Sequence, residues 1–148
     1  MKKKKNKGFS VIEIVLVLGV IGILSSFIAP KVRDYLALAK DSKAINTLQS
    51  LRMANETYYL ENGNYPNSED NNMSKILKEL EKYTGIKLST GTTELFLDVG
   101  GSKNEGQEQV IKYGGKVKVE LNENKGFILI PDLETLPLNM RGDKWSEL

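Results

Sequence analysis

At 148 residues, with 21 Lys plus Arg against 19 Asp plus Glu and a net charge of +2, the chain is sized for one domain with an appendage, and its balance excludes both a strongly basic nucleic-acid binder and an acidic disordered tail. It has no Cys and no His, which removes disulfides, thiolate nucleophiles, Cys- or His-ligated metals, imidazole bases and the Ser-His-Asp triad. The charges are not mixed: Lys2, Lys3, Lys4, Lys5 and Lys7 all precede Phe9, and without them 16 basic face 19 acidic side chains, a net of −3.

Phe9 through Ala29 is an almost unbroken apolar run of 21 residues. As a helix it spans about 30 Å, the thickness of a bilayer core. The preceding Lys cluster places the N-terminus in the cytoplasm and sends the rest of the chain across. Three readings compete for this segment. A secretory signal peptide needs a small-x-small cleavage site, which Leu24-Ser25-Ser26 and Phe27-Ile28-Ala29 match poorly, the latter being followed by Pro30. A plain signal anchor is the second. Neither accounts for Glu13, a carboxylate whose presence in an apolar span costs roughly 2.5–3.5 kcal/mol and calls for a partner. In the third reading a cut between Gly8 and Phe9 creates an α-amine at Phe9. In an array of identical chains, Glu13 of one subunit then pairs with the amine of its neighbour and fixes the axial register of helices that otherwise slide.

The residues K-G-F-S-V-I-E and the apolar stretch after them resemble the class III leader of type IV pilins and pseudopilins. The resemblance implies cleavage after Gly8 by a prepilin peptidase, N-methylation of Phe9 and an assembly role for Phe9 and Glu13. Gly22 and Pro30 fall where that family has a helix-melting Gly and a kinking Pro; Ser10 stands where Thr is commoner. Three parts are thus expected: a cleaved leader at 1–8, a transmembrane and assembly helix half at 9–30, and a head at 31–148 that includes the second helix half.

From Lys31 to Glu61 there is no Gly or Pro, and Ala37, Ala44, Leu48, Leu51, Asn55, Tyr58 and Tyr59 share one helical face. Asn62-Gly63 supplies a stop. If Pro30 only kinks the helix, one helix runs from about Phe9 to Glu61, about 80 Å long. Half is then span and half domain spine, as in the pilin lollipop. The stretch N-E-T-Y-Y-L-E-N-G-N-Y-P, from Asn55 to Pro66, is a second point of resemblance to pilins and major pseudopilins. Read from its residues alone, it caps the helix, blocks its resumption and packs Tyr65 on the domain.

Residues 67–93 read as a polar connection holding a short amphipathic helix from Met73 to Tyr83, with Ser74 as N-cap, Ile76, Leu77 and Leu80 inward, and Gly85 as terminator. Leu95–Val99 is a strand, and Gly100 to Gln109 a mobile loop. Val110–Tyr113 is expected to pair with Lys116–Leu121 across a Gly114-Gly115 hairpin turn. In the second strand Val117, Val119 and Leu121 face inward. Phe127–Ile130 is a continuous apolar strand. The fold class expected is α+β: a long N-terminal helix packed on a small antiparallel sheet.

Pro131–Leu148 has no clear period. Pilins often close this region with a disulfide, which the absence of Cys forbids, and the resemblance to pseudopilins points to calcium there. Asp132, Glu134 and Asp143 carry hard oxygens, but they read as solvated loop residues, so no metal or cofactor is assigned. Trp145 reads as a packing anchor for the tail, and Lys112, Lys116, Lys118 and Lys125 as a solvated sheet face rather than a DNA site.

An enzyme is not expected. No paired-carboxylate motif or nucleophile elbow occurs, and Gly100-Gly101-Ser102 is too short for a phosphate loop. The expectation is a prepilin that sits in the cytoplasmic membrane, in contact with lipid, before assembly. Its partners are the peptidase, an inner-membrane assembly machinery and identical subunits of a cell-surface type IV pilus filament. A major pseudopilin of type II secretion or DNA uptake is the alternative, and a membrane-anchored binding module the alternative from another class.

Overall fold

A computed structural model of the chain describes residues 8–66, 72–85, 93–106, 110–124 and 126–148. Two units are distinguished, Met1–Tyr35 and Leu36–Leu148. Helix α1 spans Val11–Asn62, with Pro30 inside it. Its start carries the glutamate half of a capping box: the Ser10 backbone N–H, just ahead of the helix, donates to Glu13 Oε2 at 2.8 Å. Its stop is the expected one. Gly63 takes a left-handed φ of +75°, its N–H donates to the Tyr59 carbonyl at 2.8 Å, and Asn62 Nδ2 donates to the Tyr58 carbonyl at 2.9 Å.

In the first unit, α1 buries nothing. Every large apolar side chain from Phe9 to Phe27 is exposed, Phe9 by 87% and Val11 by 78%. This helix is long and apolar enough to cross a membrane.

In the second unit, α1 buries one face: Ala37, Asp41, Ala44, Leu48, Leu51, Ala54 and Asn55. Tyr58 is half-buried and packs on the core, whereas Tyr59 lies outside it and stacks on Tyr65 with ring centroids 4.6 Å apart. Helix α2, Met73–Thr84, buries Ile76, Leu77 and Leu80 and ends at a left-handed Gly85. Its N-cap is Asn72 rather than Ser74: Asn72 Oδ1 accepts from the Ser74 N–H at 3.1 Å. An N-cap carbonyl oxygen placed two residues ahead reaches that orphan N–H, and Ser74 is already inside the first turn.

The strands are β1 (Leu95–Asp98), β2 (Gly101–Lys103), β3 (Ile111–Tyr113), β4 (Lys116–Leu121) and β5 (Phe127–Pro131). They form a three-stranded antiparallel sheet in the order β1-β4-β5 and a two-stranded β2-β3 sheet. The expected hairpin across Gly114-Gly115 does not form. β3 pairs with β2, and β4 pairs with β1 and β5. Gly101–Lys103, expected within a loop, is strand; residues 107–109 of that loop lie outside the described residues. The two ladders keep one register, from Leu95 opposite Val119 to Lys103 opposite Ile111. The glycines therefore mark a bend in a continuous strand pair, closed by Gly114 N–H to the Gly100 carbonyl at 2.7 Å and Val99 N–H to the Gly115 carbonyl at 3.1 Å. The cause lies on the helix: a Cβ on Gly100 would stand 2.1 Å from the Ala37 carbonyl oxygen. Only glycine lets the two backbones meet.

The core is formed by Leu48 and Leu51 of α1, Ile76 and Leu80 of α2, Val117 and Val119 of β4, Phe127 and Leu129 of β5, and Trp145. Trp145, fully buried, is the packing anchor its isolated position suggests.

Candidate functional site

In the first unit the segment singled out from the sequence is laid out along one helix. Gly8 precedes it, Phe9 projects freely, and Glu13 sits in its first turn. Glu13 is not left without a local partner, since the Ser10 N–H holds one carboxylate oxygen. That role escaped the sequence reading, although Ser-x-x-Glu ahead of an apolar run is its signature. Gly22 and Pro30 lie further along α1 and are not brought to Glu13. A Cβ built on Gly8 or Gly22 meets nothing within 4 Å, so packing within the chain does not require glycine at either place. Ser26 is accommodated by donating its hydroxyl to the Ile23 carbonyl at 2.6 Å.

In the second unit the C-terminal stretch is fixed by side-chain acceptors. Asp41, 2% exposed, accepts from the Gly100 N–H at 2.8 Å and the Gly101 N–H at 3.4 Å on Oδ1, and from the Met140 N–H at 2.9 Å on Oδ2. Burial pushes its carboxyl above the usual carboxylate range, and the Met140, Gly100 and Gly101 N–H groups and the Arg141 charge pull it partly back. Asn139, fully buried, accepts from the N–H groups of Arg141, Gly142 and Asp143 at 2.8–2.9 Å through one oxygen. Thr135 Oγ1 accepts from the Lys116 N–H at 2.9 Å and donates to the Lys116 carbonyl at 2.8 Å. Arg52 donates to the carbonyls of Phe127 at 2.9 Å and Leu148 at 2.5 Å. Asp41 and Asn139 were missed from the sequence. For Asp41 the signal was present: it falls at helical spacing between Ala37 and Ala44 on a face whose other buried members are apolar except Asn55.

Of the three acidic residues weighed for calcium, Glu134 is exposed, and Asp132 and Asp143 have local partners. Asp132 Oδ1 accepts from the Leu133 N–H at 2.8 Å, and Asp143 Oδ2 from Asn139 Nδ2 at 3.1 Å. Among the described residues no three acidic groups gather as a metal site. On the sheet, Lys112 and Lys116 are exposed, and Lys125 lies outside the described residues. Lys118 is bound between Glu120 at 2.8 Å and Glu94 at 2.6 Å. Those two hydrogen bonds raise its pKa. Where α1 ends beside α2, the Tyr83 hydroxyl donates to Glu61, and with Lys82 it lowers the Glu61 pKa.

A single apolar helix that continues as the support of a small antiparallel sheet is the α+β architecture of pilin-like proteins. The relatives agree. The chain is 33% identical over 96 residues to a type IV major pilin protein PilE1 of Neisseria gonorrhoeae, covering 57% of this chain and 56% of the relative. It is 32% identical over 69 residues to the type II secretion system core protein G of Aeromonas hydrophila, 47% of this chain and 48% of that one. A fimbrial protein of Neisseria meningitidis serogroup A is 37% identical over 62 residues, 42% and 36% of the two chains. Over these stretches the chain is similar to type IV pilins and to a type II secretion pseudopilin. It spans about half the length of the curated relatives it matches. No protein-family profile matches it, and no solved structure does.

Proposed function

We propose that the chain is the structural subunit of a type IV pilus filament, made as a prepilin that is cut after Gly8 and N-methylated at Phe9. The observation that carries this reading is the first unit of the helix. From Val11 to Ala29 it is apolar on every side and covered by nothing, yet it bears a carboxylate in its first turn. Such a surface is stable only in lipid or against other apolar helices. Before assembly the bilayer covers it, with the N-terminus cytoplasmic and the head outside. After extraction, copies of the same helix cover it, and the filament stands at the cell surface. Glu13 exchanges the Ser10 N–H for the α-amine of a neighbouring subunit and sets the register. Gly22, without packing partners in its own chain, leaves room for that neighbour, and Pro30 removes one backbone N–H from the helix ladder. A prepilin peptidase and an inner-membrane assembly machinery are the implied partners. The role is structural rather than enzymatic.

The test is twofold. Glu13→Ala should abolish surface filaments, seen by electron microscopy of labelled protein, while membrane insertion persists; normal filaments would overturn the pairing. N-terminal sequencing of filament protein should begin at methylated Phe9, and any other start would overturn the processing. The resemblance to the Aeromonas hydrophila protein supports a second reading, a major pseudopilin. In that case the protein would be missing from surface pili, and its deletion would block secretion instead.

A further inference from the structure

The buried face of α1 begins with Ala37 and Asp41, and Asp41 is its charged member. Here the helix meets two stretches distant in sequence: the bend of the strand pair at Gly100 and Gly101, and the turn at Asn139–Asp143. The contact is unlike the core. Apart from the buried Met140, which lies against Gly101, its residues are small or polar, the Gly100 backbone rests on that of Ala37, and the ties are three N–H groups converging on one carboxylate. Arg141 adds an outer tie, donating to Ser42 Oγ at 3.1 Å. The large apolar side chains Leu48, Leu51, Phe127 and Trp145 pack in the core cluster, of which neither Ala37 nor Met140 is a member. Elements held by hydrogen bonds with little apolar burial open at lower free energy than apolar cores.

We propose that the Asp41 junction is a releasable clamp, a unit that opens to free the Ala37–Asp41 turn of α1 from the strand bend and the 139–143 turn while the three-stranded sheet, α2 and Trp145 stay packed. Opening leaves the Asp41 carboxylate to water, which solvates it well, and the Asn139-centred turn loses its docking surface. The clamp thereby sets how far along α1 the head grips the helix, and gives that grip two states without unfolding the head.

Amide hydrogen exchange on the full chain in detergent micelles tests this. In the wild-type chain, Gly100, Gly101, Met140 and Arg141–Asp143 should exchange through one common opening, faster than Val117, Val119 and Leu129 and with weaker denaturant dependence. Asp41→Asn removes one acceptor, and Gly100→Ala wedges the junction from the strand side without touching the carboxylate. Each should speed exchange at Arg141–Asp143 by about tenfold or more, as expected for losing a hydrogen bond to a charged group, and leave Val117, Val119 and Leu129 unchanged. Equal acceleration of the core amides, or failure of either variant to fold, would show the junction to be part of one cooperative core. No change at Arg141–Asp143, whose N–H groups bond to Asn139 and not to Asp41, would show only local bonds broken. Either result overturns the proposal.

Discussion

The two stretches of α1 follow opposite rules on one continuous backbone. From Val11 to Ala29 the helix is apolar without a preferred side and buries nothing; from Leu36 to Asn62 it alternates, and one face is buried. The first pattern lacks direction, so the chain alone cannot cover it. The second has direction and finds its cover in β4, β5 and α2. Helical length is not what separates the uncovered stretch from the domain spine: periodicity is.

Substitutions should respect that division. The largest expected effect is Glu13→Ala, which should eliminate filaments yet leave the thermal midpoint of the head unchanged; a shifted midpoint would blur the division. Leu51→Ala, at a fully buried position, should cost the head about 2–5 kcal/mol, read by denaturant unfolding, with membrane insertion intact. Asn139→Ala leaves three N–H groups without their shared acceptor and should cost about 1–3 kcal/mol. Asn72→Ala removes the α2 cap and should cost about 1 kcal/mol.

The smallest effect is the pH response of Asp41. Burial raises its pKa above the ordinary value of 3.8, so the folded head binds this proton more tightly than the unfolded chain. Its contribution to stability is therefore fully present below that ordinary value and is lost as pH rises through the raised one. Across that window the stability of the wild-type head should fall relative to Asp41→Asn. A difference that grew with rising pH would reverse the assignment.

Much of this was legible in the sequence because it rests on local pattern. Asn62-Gly63 ends α1, Gly85 ends α2, and the alternation of Val117 and Val119 with Lys116 and Lys118 gives β4 one buried face. What was not legible depends on a distant backbone. Gly114-Gly115 has the composition of a tight hairpin turn, and nothing nearby in the sequence tells that Gly100 must lie on Ala37 and turn the same glycines into a bend. Asp41 was obscured for a like reason, since its N–H partners lie some sixty and a hundred residues downstream. The Glu13 cap is different: Ser10 and Glu13, three residues apart, carry a purely local signature.

The ties from Asp41 to Met140 and from Arg52 to Leu148 join positions 99 and 96 residues apart. Loop-closure entropy must be met before such contacts stabilise anything, and they form late. As the chain is made from its N-terminus, the spine of the head emerges well before the residues that complete its lining. Leu48 and Leu51 therefore stay uncovered until Phe127, Leu129 and Trp145 arrive. For that interval the nascent head is exposed to aggregation and proteolysis, and a truncation that removes Trp145 should make the exposure permanent.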